Sequence, residues 1–144
     1  MITLRHVGIV VEDIETAKLL WLEAFGFTVK NDQVEFGKEI ESLLGLQGAH
    51  LRSLKMSSPD SSSVVELIQF LNPIPLLDNK SHIVNRTGIT HIALTVKNIE
   101  EMLNHLALYD VKSVGELSLS KNKKSKGVYV KTSCGVLIEL VEEL

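Results

Sequence analysis

Two stretches of the chain share one order of hydrophobic and polar positions. Residues 4–15 align with residues 89–100 at an offset of 85, and the alignment places His6 opposite His91. A valine, an isoleucine and a glutamate are also identical, and three further positions exchange one aliphatic residue for another. The repeat predicts that the chain is built from two related halves.

Each copy of the repeat begins with alternating side chains. Over residues 4–11 and 89–96, one set of alternate positions is mostly branched aliphatic, and the other carries the histidine followed by a small residue, Gly8 or Ala93. Side chains alternate between the two faces of a strand. The pattern therefore predicts two strands whose aliphatic faces pack against helices and whose histidine faces border a space.

The apolar period then changes from two to that of a helix. Asp13 and Asn98 stand where an N-cap is expected, and Glu101 completes a capping-box pattern after Asn98. Apolar residues recur at helical spacing after both caps, and Gly26 follows the first helix as a C-terminal stop.

The remainder of each half reads as strands. The predicted segments are strands at 27–36, 50–57 and 63–71 with a short helical piece at 38–46, and strands at 111–119, 127–132 and 135–142. Each half is therefore strand, helix and three strands, which is an α+β class. We expect a module over 1–71, a linker over 72–88 and a second module over 89–144, all within one domain.

Composition and charge narrow the classes of protein to which the chain can belong. The 144 residues are 44% hydrophobic and 23% charged, which suits a single packed domain, and the net charge of −3 argues against nucleic acid as a partner. No apolar run approaches the length of a membrane span, no signal peptide is evident, and the single cysteine excludes an internal disulfide. We expect a cytoplasmic protein that binds neither nucleic acid nor membrane.

A glutamate lies within the last strand of each half. Glu66 and Glu139 both have aliphatic neighbours on either side, and a carboxylate in such a strand must be paired, solvated or bound to a metal. A single strand histidine or glutamate is more often a core or solvent-facing residue than a ligand. Because each half supplies one of each, His6, Glu66, His91 and Glu139 form a set that suits one divalent Zn, Ni, Co, Mn or Fe ion.

At these residues the sequence resembles the vicinal oxygen chelate superfamily, which includes glyoxalase I, methylmalonyl-CoA epimerase, extradiol dioxygenases, fosfomycin-resistance transferases and bleomycin-binding proteins. The stretches that carry the resemblance are "LRHVGIVVEDIETA", "VVELIQF", "ITHIALTVKNIEEM" and "GVLIELVEE". It implies two tandem βαβββ modules whose mixed sheet curls around a central cup. It also implies metal ligands at His6, Glu66, His91 and Glu139.

The full set of ligands is most similar to the ligand sets of glyoxalase I and of the epimerase. The epimerase also has a second catalytic acid near its third strand, and no acidic residue of this sequence aligns with it. The resemblance implies an enzyme that moves a proton at a carbon next to a carbonyl through a metal-stabilised enediolate, with Glu139 or Glu66 as the base. Alternatives are an extradiol-type dioxygenase and a module that binds small molecules without catalysis.

The substrate is less well indicated. The "KNKKSK" run includes Lys123 and Lys124, which either form a solvated loop or meet the anionic tail of a CoA or glutathione adduct. Arg52 either enters the cup or forms a surface ion pair. Members of the superfamily commonly form homodimers, and the metal ligands then come from one chain or from two.

Overall fold

The computed structural model describes residues 1–76, 83–85 and 87–144. The chain divides into two compact units, Met1–Leu77 and Asp78–Leu144. Part of the predicted linker, residues 77–82 and 86, lies outside the described residues. No helix within the described ranges is long and apolar enough to cross a membrane.

The first unit contains a four-stranded mixed sheet. Its elements are β1 (Val7–Val10), α1 (Ile14–Leu19), β2 (Thr28–Phe36), α2 (Lys38–Leu44), β3 (His50–Ser57) and β4 (Val64–Asn72). The strand order is β1-β4-β3-β2, with β1 parallel to β4 and the other neighbours antiparallel. This is the predicted order of strand, helix and three strands, with the short second helix also present.

The second unit repeats this plan with five strands. Its elements are β5 (His91–Thr95), α3 (Ile99–Leu106), β6 (Lys112–Ser113), β7 (Ser118–Leu119), β8 (Ser125–Lys131) and β9 (Leu137–Glu143). β5 is parallel to β9, as β1 is to β4, and β8 pairs with β9, β6 and β7. The predicted α+β class is confirmed.

The predicted helix starts are also confirmed. The Asp13 carboxylate accepts hydrogen bonds from the Glu15 amide and the Thr16 hydroxyl, and Asn98 accepts one from the Glu101 amide. The end of the first helix differs from a regular helix, since Leu20–Ala24 form one turn of π-helix. Gly26 then turns the chain at φ 71°, a left-handed conformation that favours glycine.

The aliphatic face of each sheet is buried beneath its helix, as the alternation predicts. In the first unit Trp21 and Ile14 of the helical segment are 1% exposed, and Leu67 of β4 is completely buried. In the second unit Ile99 of α3 and Leu140 of β9 are completely buried. This burial leaves the opposite face of each sheet for the histidine and the glutamate.

The predicted strand at 111–119 is wrong in one respect, because it is two short strands. Ser113 and Ser118 are five positions apart, but the residues of β8 that pair with them, Val130 and Gly127, are only three positions apart. The two extra residues between Ser113 and Ser118 cannot be paired, so the segment between β6 and β7 bulges away from β8. The alternation of the sequence contains no sign of this length mismatch.

Candidate metal and catalytic site

The first unit brings His6 and Glu66 into direct contact. Glu66 lies opposite Gly8 in the parallel β1–β4 register, and His6 is two residues before Gly8, so their side chains share a face of the sheet. The His6 Nε2 atom is 2.9 Å from Glu66 Oε2. Lys55 pairs with Glu66 across β3, and its Nζ is 3.6 Å from Oε1. Glu66, whose side chain is 12% exposed, is therefore held from two sides.

The second unit forms the same pair from His91 and Glu139. Glu139 lies opposite Ala93 in the parallel β5–β9 register, and Ala93 is two residues after His91. The His91 Nε2 atom is 3.2 Å from Glu139 Oε2, and the glutamate side chain is 31% exposed. Each half of the sequence therefore builds one imidazole–carboxylate pair at one and the same register, and the sequence repeat is a structural repeat.

The residue that faces the second glutamate is Tyr129. Tyr129 pairs with Glu139 across β8 and β9, and its hydroxyl is 3.4 Å from His91 Nε2. The two rings meet edge to face with centroids 4.9 Å apart. Burial raises the pKa of Tyr129, and the charge of Glu139 and a hydrogen bond to it add to the increase. Tyr129 therefore stays protonated at neutral pH and keeps a hydroxyl proton to donate.

Within each pair, the distance between the histidine nitrogen and the glutamate oxygen suits two ligands of one metal ion. Two ligand atoms about 2.1 Å from one ion and at right angles are about 3.0 Å apart. The measured 2.9 Å and 3.2 Å lie on either side of that value. The same distances suit a hydrogen bond from imidazole to carboxylate, which satisfies each pair when no ion is bound.

Each unit by itself supplies only half of a four-ligand set. Among the described residues, no group of three or more histidine, cysteine, aspartate or glutamate side chains is placed to hold a metal ion. Bringing the two pairs together on one ion is therefore a proposal.

A cavity of about 600 Å³ opens on the glutamate face of the second unit. Glu139 and Tyr129 line it, together with the bulged segment after β6. Its other lining residues are Val84, Val114, Gly115, Glu116, Ser118, Leu119, Ser120, Ser125, Lys126, Gly127, Val128 and Val141. The volume lies within the range of small-molecule sites in proteins.

Residues 5–129 match the family model of the Glyoxalase/Bleomycin resistance protein/Dioxygenase superfamily. The chain belongs to this superfamily. The resemblance identified in the sequence, with its vicinal oxygen chelate fold, is confirmed. No curated protein matches the chain.

Solved structures of the superfamily share this fold over the whole chain. A glyoxalase family protein from Bacillus cereus is 29% identical with a TM-score of 0.91, covering 100% of this chain and 95% of that one. A glyoxalase family protein from Enterococcus faecalis is 18% identical with a TM-score of 0.68, covering 97% of each chain. The genomically encoded fosfomycin resistance protein from Listeria monocytogenes, a mutant solved with Mn(II) and 1S,2S-dihydroxypropylphosphonic acid, is 12% identical with a TM-score of 0.64, covering 97% and 90%.

Arg52 does not face the histidine–glutamate pair. It is three residues before Lys55 on a regular part of β3, so the two side chains project from opposite faces of the sheet. Its guanidinium binds Asp32 at 2.7 Å and Glu15 at 2.6 Å. Of the two interpretations of Arg52, the structure supports the surface ion pair, and the placement in the cup is wrong.

Lys123 and Lys124 lie in the turn that joins β7 to β8. Both are exposed, and Lys123 has a positive φ of 59°. The turn is fixed by Asn122, whose side chain accepts from the Ser120 hydroxyl and the Lys124 amide. Neither lysine is among the residues that line the cavity. The fourth lysine of the run, Lys126, does line it and pairs with Glu100 and Glu142 at 2.7 Å and 3.1 Å.

Sequence reasoning missed Lys55 and Tyr129 as neighbours of the two glutamates. Each stands directly opposite a glutamate on the neighbouring antiparallel strand. Finding them requires the register of a hairpin, which depends on where the turn begins and ends. The turns "SSPDSSS" and "TSCG" are visible in the sequence, but their exact lengths are not.

Proposed function

We propose that the protein is a divalent-metal-dependent enzyme that moves a proton at a carbon next to a carbonyl, as a glyoxalase I-like lyase or an epimerase-like isomerase. The observation that supports this most directly is the matched contact of His6 with Glu66 and of His91 with Glu139 at equal register in the two repeats. Two neutral imidazoles and two carboxylates would hold one ion and leave its remaining positions for substrate oxygens.

When bound, a divalent ion supplies positive charge beside the carbonyl oxygen and so stabilises the negative charge that proton removal creates. The presence of Mn(II) in the Listeria fosfomycin resistance protein supports an ion of this type. The chain's own residues then have separate roles, which follow from their surroundings.

Glu139 is the better placed of the two carboxylates to act as the base. It lines the cavity, where a substrate carbon can approach it, and its side chain is 31% exposed. Glu66 is less accessible and is fixed by His6 and Lys55, which suits a residue that holds a ligand position. We therefore assign ligation alone to Glu66, and to Glu139 proton transfer in addition to its place among the four ligands.

The first measurement is metal stoichiometry. We expect the wild type to retain about one divalent ion per four-ligand set, and His6→Ala and His91→Ala each to lose it because each removes one of four ligands. His105→Ala, the same change on the exposed part of α3, is the control for a general effect of losing an imidazole. Full occupancy in both ligand variants would rule out this site.

The second measurement is isotope exchange in deuterated water, with the glutathione hemithioacetal of methylglyoxal or with methylmalonyl-CoA. Glu139→Gln keeps a neutral oxygen but loses its basicity, so exchange at the carbon next to the carbonyl should fall about 10²- to 10⁴-fold. Glu66→Gln should fall much less. Equal exchange by wild type and Glu139→Gln would remove Glu139 as the base.

Two outcomes would replace the proposal with another function of the superfamily. Oxygen consumption with a catechol would indicate an extradiol-type dioxygenase. Ligand binding without stoichiometric metal and without exchange would indicate a binding module.

A further inference from the structure

We propose that Lys55 is a positioning residue that restricts Glu66 to binding the divalent ion through one oxygen, and that it thereby keeps a further coordination position open. The inference rests on the proposed function, since it concerns how the same four ligands are held. It gives a role at the site to a side chain that is not itself a ligand.

The two carboxylate oxygens of Glu66 have different partners. The Oε2 atom is 2.9 Å from His6 Nε2, whereas the Oε1 atom is 3.6 Å from the ammonium nitrogen of Lys55. The shorter distance suits two neighbouring ligands of one ion, so an ion bound by His6 meets Oε2 first. The Oε1 atom is directed to the ammonium group instead.

Strand register fixes Lys55 beside this carboxylate. Lys55 of β3 stands directly opposite Glu66 of β4, so the two side chains share a face of the sheet. On the other side of β3, Lys55 stands opposite Asn31 of β2, which is uncharged and donates its side-chain amide hydrogen to Gln33. Of the two residues that pair with Lys55, only Glu66 therefore carries a charge.

The limited exposure of Glu66 makes this contact more important. Its side chain is 12% exposed, whereas that of Lys55 is 31% exposed. A carboxylate oxygen with so little access to water depends on a protein partner or on an ion. Turning Oε1 toward an ion would also remove the negative charge that lies next to the ammonium group, which costs electrostatic energy.

The second unit has a neutral residue at the equivalent position. Tyr129 stands opposite Glu139 as Lys55 stands opposite Glu66, and its uncharged hydroxyl group hydrogen-bonds to Glu139. An ammonium group attracts a carboxylate through its net charge, which a hydroxyl group lacks. We therefore infer that Glu139 is held less firmly than Glu66, which agrees with the proton transfer proposed for Glu139.

The way in which Glu66 binds sets the number of open positions on the ion. Four single ligand atoms leave two positions of an octahedral ion open, whereas a Glu66 that binds through both oxygens leaves one. Without Lys55, both oxygens of Glu66 are free to turn toward the ion. A molecule that binds through two oxygens should then lose more affinity than one that binds through a single atom.

Two probes of the cobalt(II)-loaded protein test this difference. Acetohydroxamate binds an ion through two oxygens and imidazole binds through one nitrogen, and the visible absorption of cobalt(II) follows both titrations. We expect Lys55→Met to bind acetohydroxamate at least about tenfold more weakly than wild type does, as is usual when a residue that orients a ligand is lost. Its affinity for imidazole should stay close to that of wild type.

Matched variants and a second measurement complete the test. Lys55→Arg keeps the positive charge and should bind acetohydroxamate nearly as wild type does, and Lys30→Met removes an exposed lysine of β2 as the control for net charge. Crystal structures with cobalt should show Glu66 bound through Oε2 alone in wild type and through both oxygens in Lys55→Met. Equal weakening of both probes, unchanged affinities in Lys55→Met, or binding through both oxygens in wild type would each overturn the inference.

The cobalt content separates this inference from the proposed function. If wild type holds no stoichiometric cobalt, the metal site fails and the role of Lys55 fails with it. If cobalt is held but wild type and Lys55→Met bind acetohydroxamate equally, only the role of Lys55 fails. If both probes behave as expected but isotope exchange is absent, the role of Lys55 stands and the proposed reaction loses its support.

Discussion

At the residue scale, each glutamate in a strand is defined by what faces it. Glu66 meets a lysine ammonium, and Glu139 meets a phenol that lines a cavity. The sequence treats the two glutamates as equivalent, since both have aliphatic neighbours. The lysine therefore holds Glu66 from a second side, while Glu139 lies in the wall of a cavity.

Arg52 illustrates a charged residue with a structural role. Its hydrogen bonds to Asp32 lower the pKa of that carboxyl below its ordinary value near 3.8. A carboxyl whose folded pKa is lowered contributes stability above its unfolded pKa and loses it as the pH falls through the folded value. We therefore expect Asp32→Asn to cost about 0.5–1 kcal/mol at neutral pH, and the difference from wild type to shrink as the pH falls below about 4 and to vanish only below the lowered folded pKa.

Urea unfolding at pH 7 and at a series of acidic pH values measures this difference. Glu12→Gln removes one exposed negative charge from the same unit and controls for net charge. A destabilisation by Asp32→Asn that is the same at every pH would show that the ion pair is not its source.

At the element scale, the first strand of each half has a small residue two positions after its histidine, Gly8 in β1 and Ala93 in β5. A Cβ added to Gly8 would meet Ile68 Cδ1 at 3.7 Å, an ordinary contact, and the equivalent residue in β5 is already Ala93. We therefore expect Gly8→Ala to stabilise the protein by about 0.4–1 kcal/mol, because it reduces the entropy of the unfolded chain.

Gly127 in β8 is the matched control. A Cβ there would be 3.2 Å from the Leu140 carbonyl oxygen, a backbone atom that cannot rotate away. Gly127→Ala should therefore destabilise the protein, by about 1–3 kcal/mol if the crowding is not relieved. Thermal unfolding of the two variants should move in opposite directions, and a loss of stability in Gly8→Ala would contradict the contact geometry.

At the scale of the whole molecule, we predict a homodimer. Within the part of the chain that the structure describes, the sheet of each unit is open and its edge strands pair with no further strand. The first unit also exposes apolar side chains that include Phe36 at 70%, Leu43 at 80% and Ile74 at 82%. Open edges and apolar patches of this kind are usually covered by a partner. Light scattering should give twice the chain mass of 16.0 kDa, and a particle of 16.0 kDa throughout a wide concentration range would contradict pairing.

Mixing variants then tests whether a metal site uses one chain or two. If ligands are shared between chains, His6→Ala mixed with His91→Ala should restore about a quarter of the wild-type metal sites, since half of randomly exchanged dimers contain one intact set. If each chain supplies its own four ligands, the mixture should restore none.

The sequence by itself determined the repeat, the helix caps and the two histidine–glutamate pairs. Each of these depends on local chemistry or on a period, and alternation alone fixes which face a strand residue occupies. His6, Glu66, His91 and Glu139 could be named before any coordinates because the same pattern occurs twice.

Only the tertiary structure decided what surrounds those pairs. Whether Lys55 or Tyr129 stands opposite a glutamate depends on hairpin register, and a shift of one residue reverses every face. Strand register also places Arg52 on the aliphatic face of its sheet. The bulge between β6 and β7 likewise depends on strand pairing, because it arises from a mismatch in length between paired strands. Pairing between residues distant in sequence is a property of the folded chain, and it determines which of two similar glutamates borders a cavity.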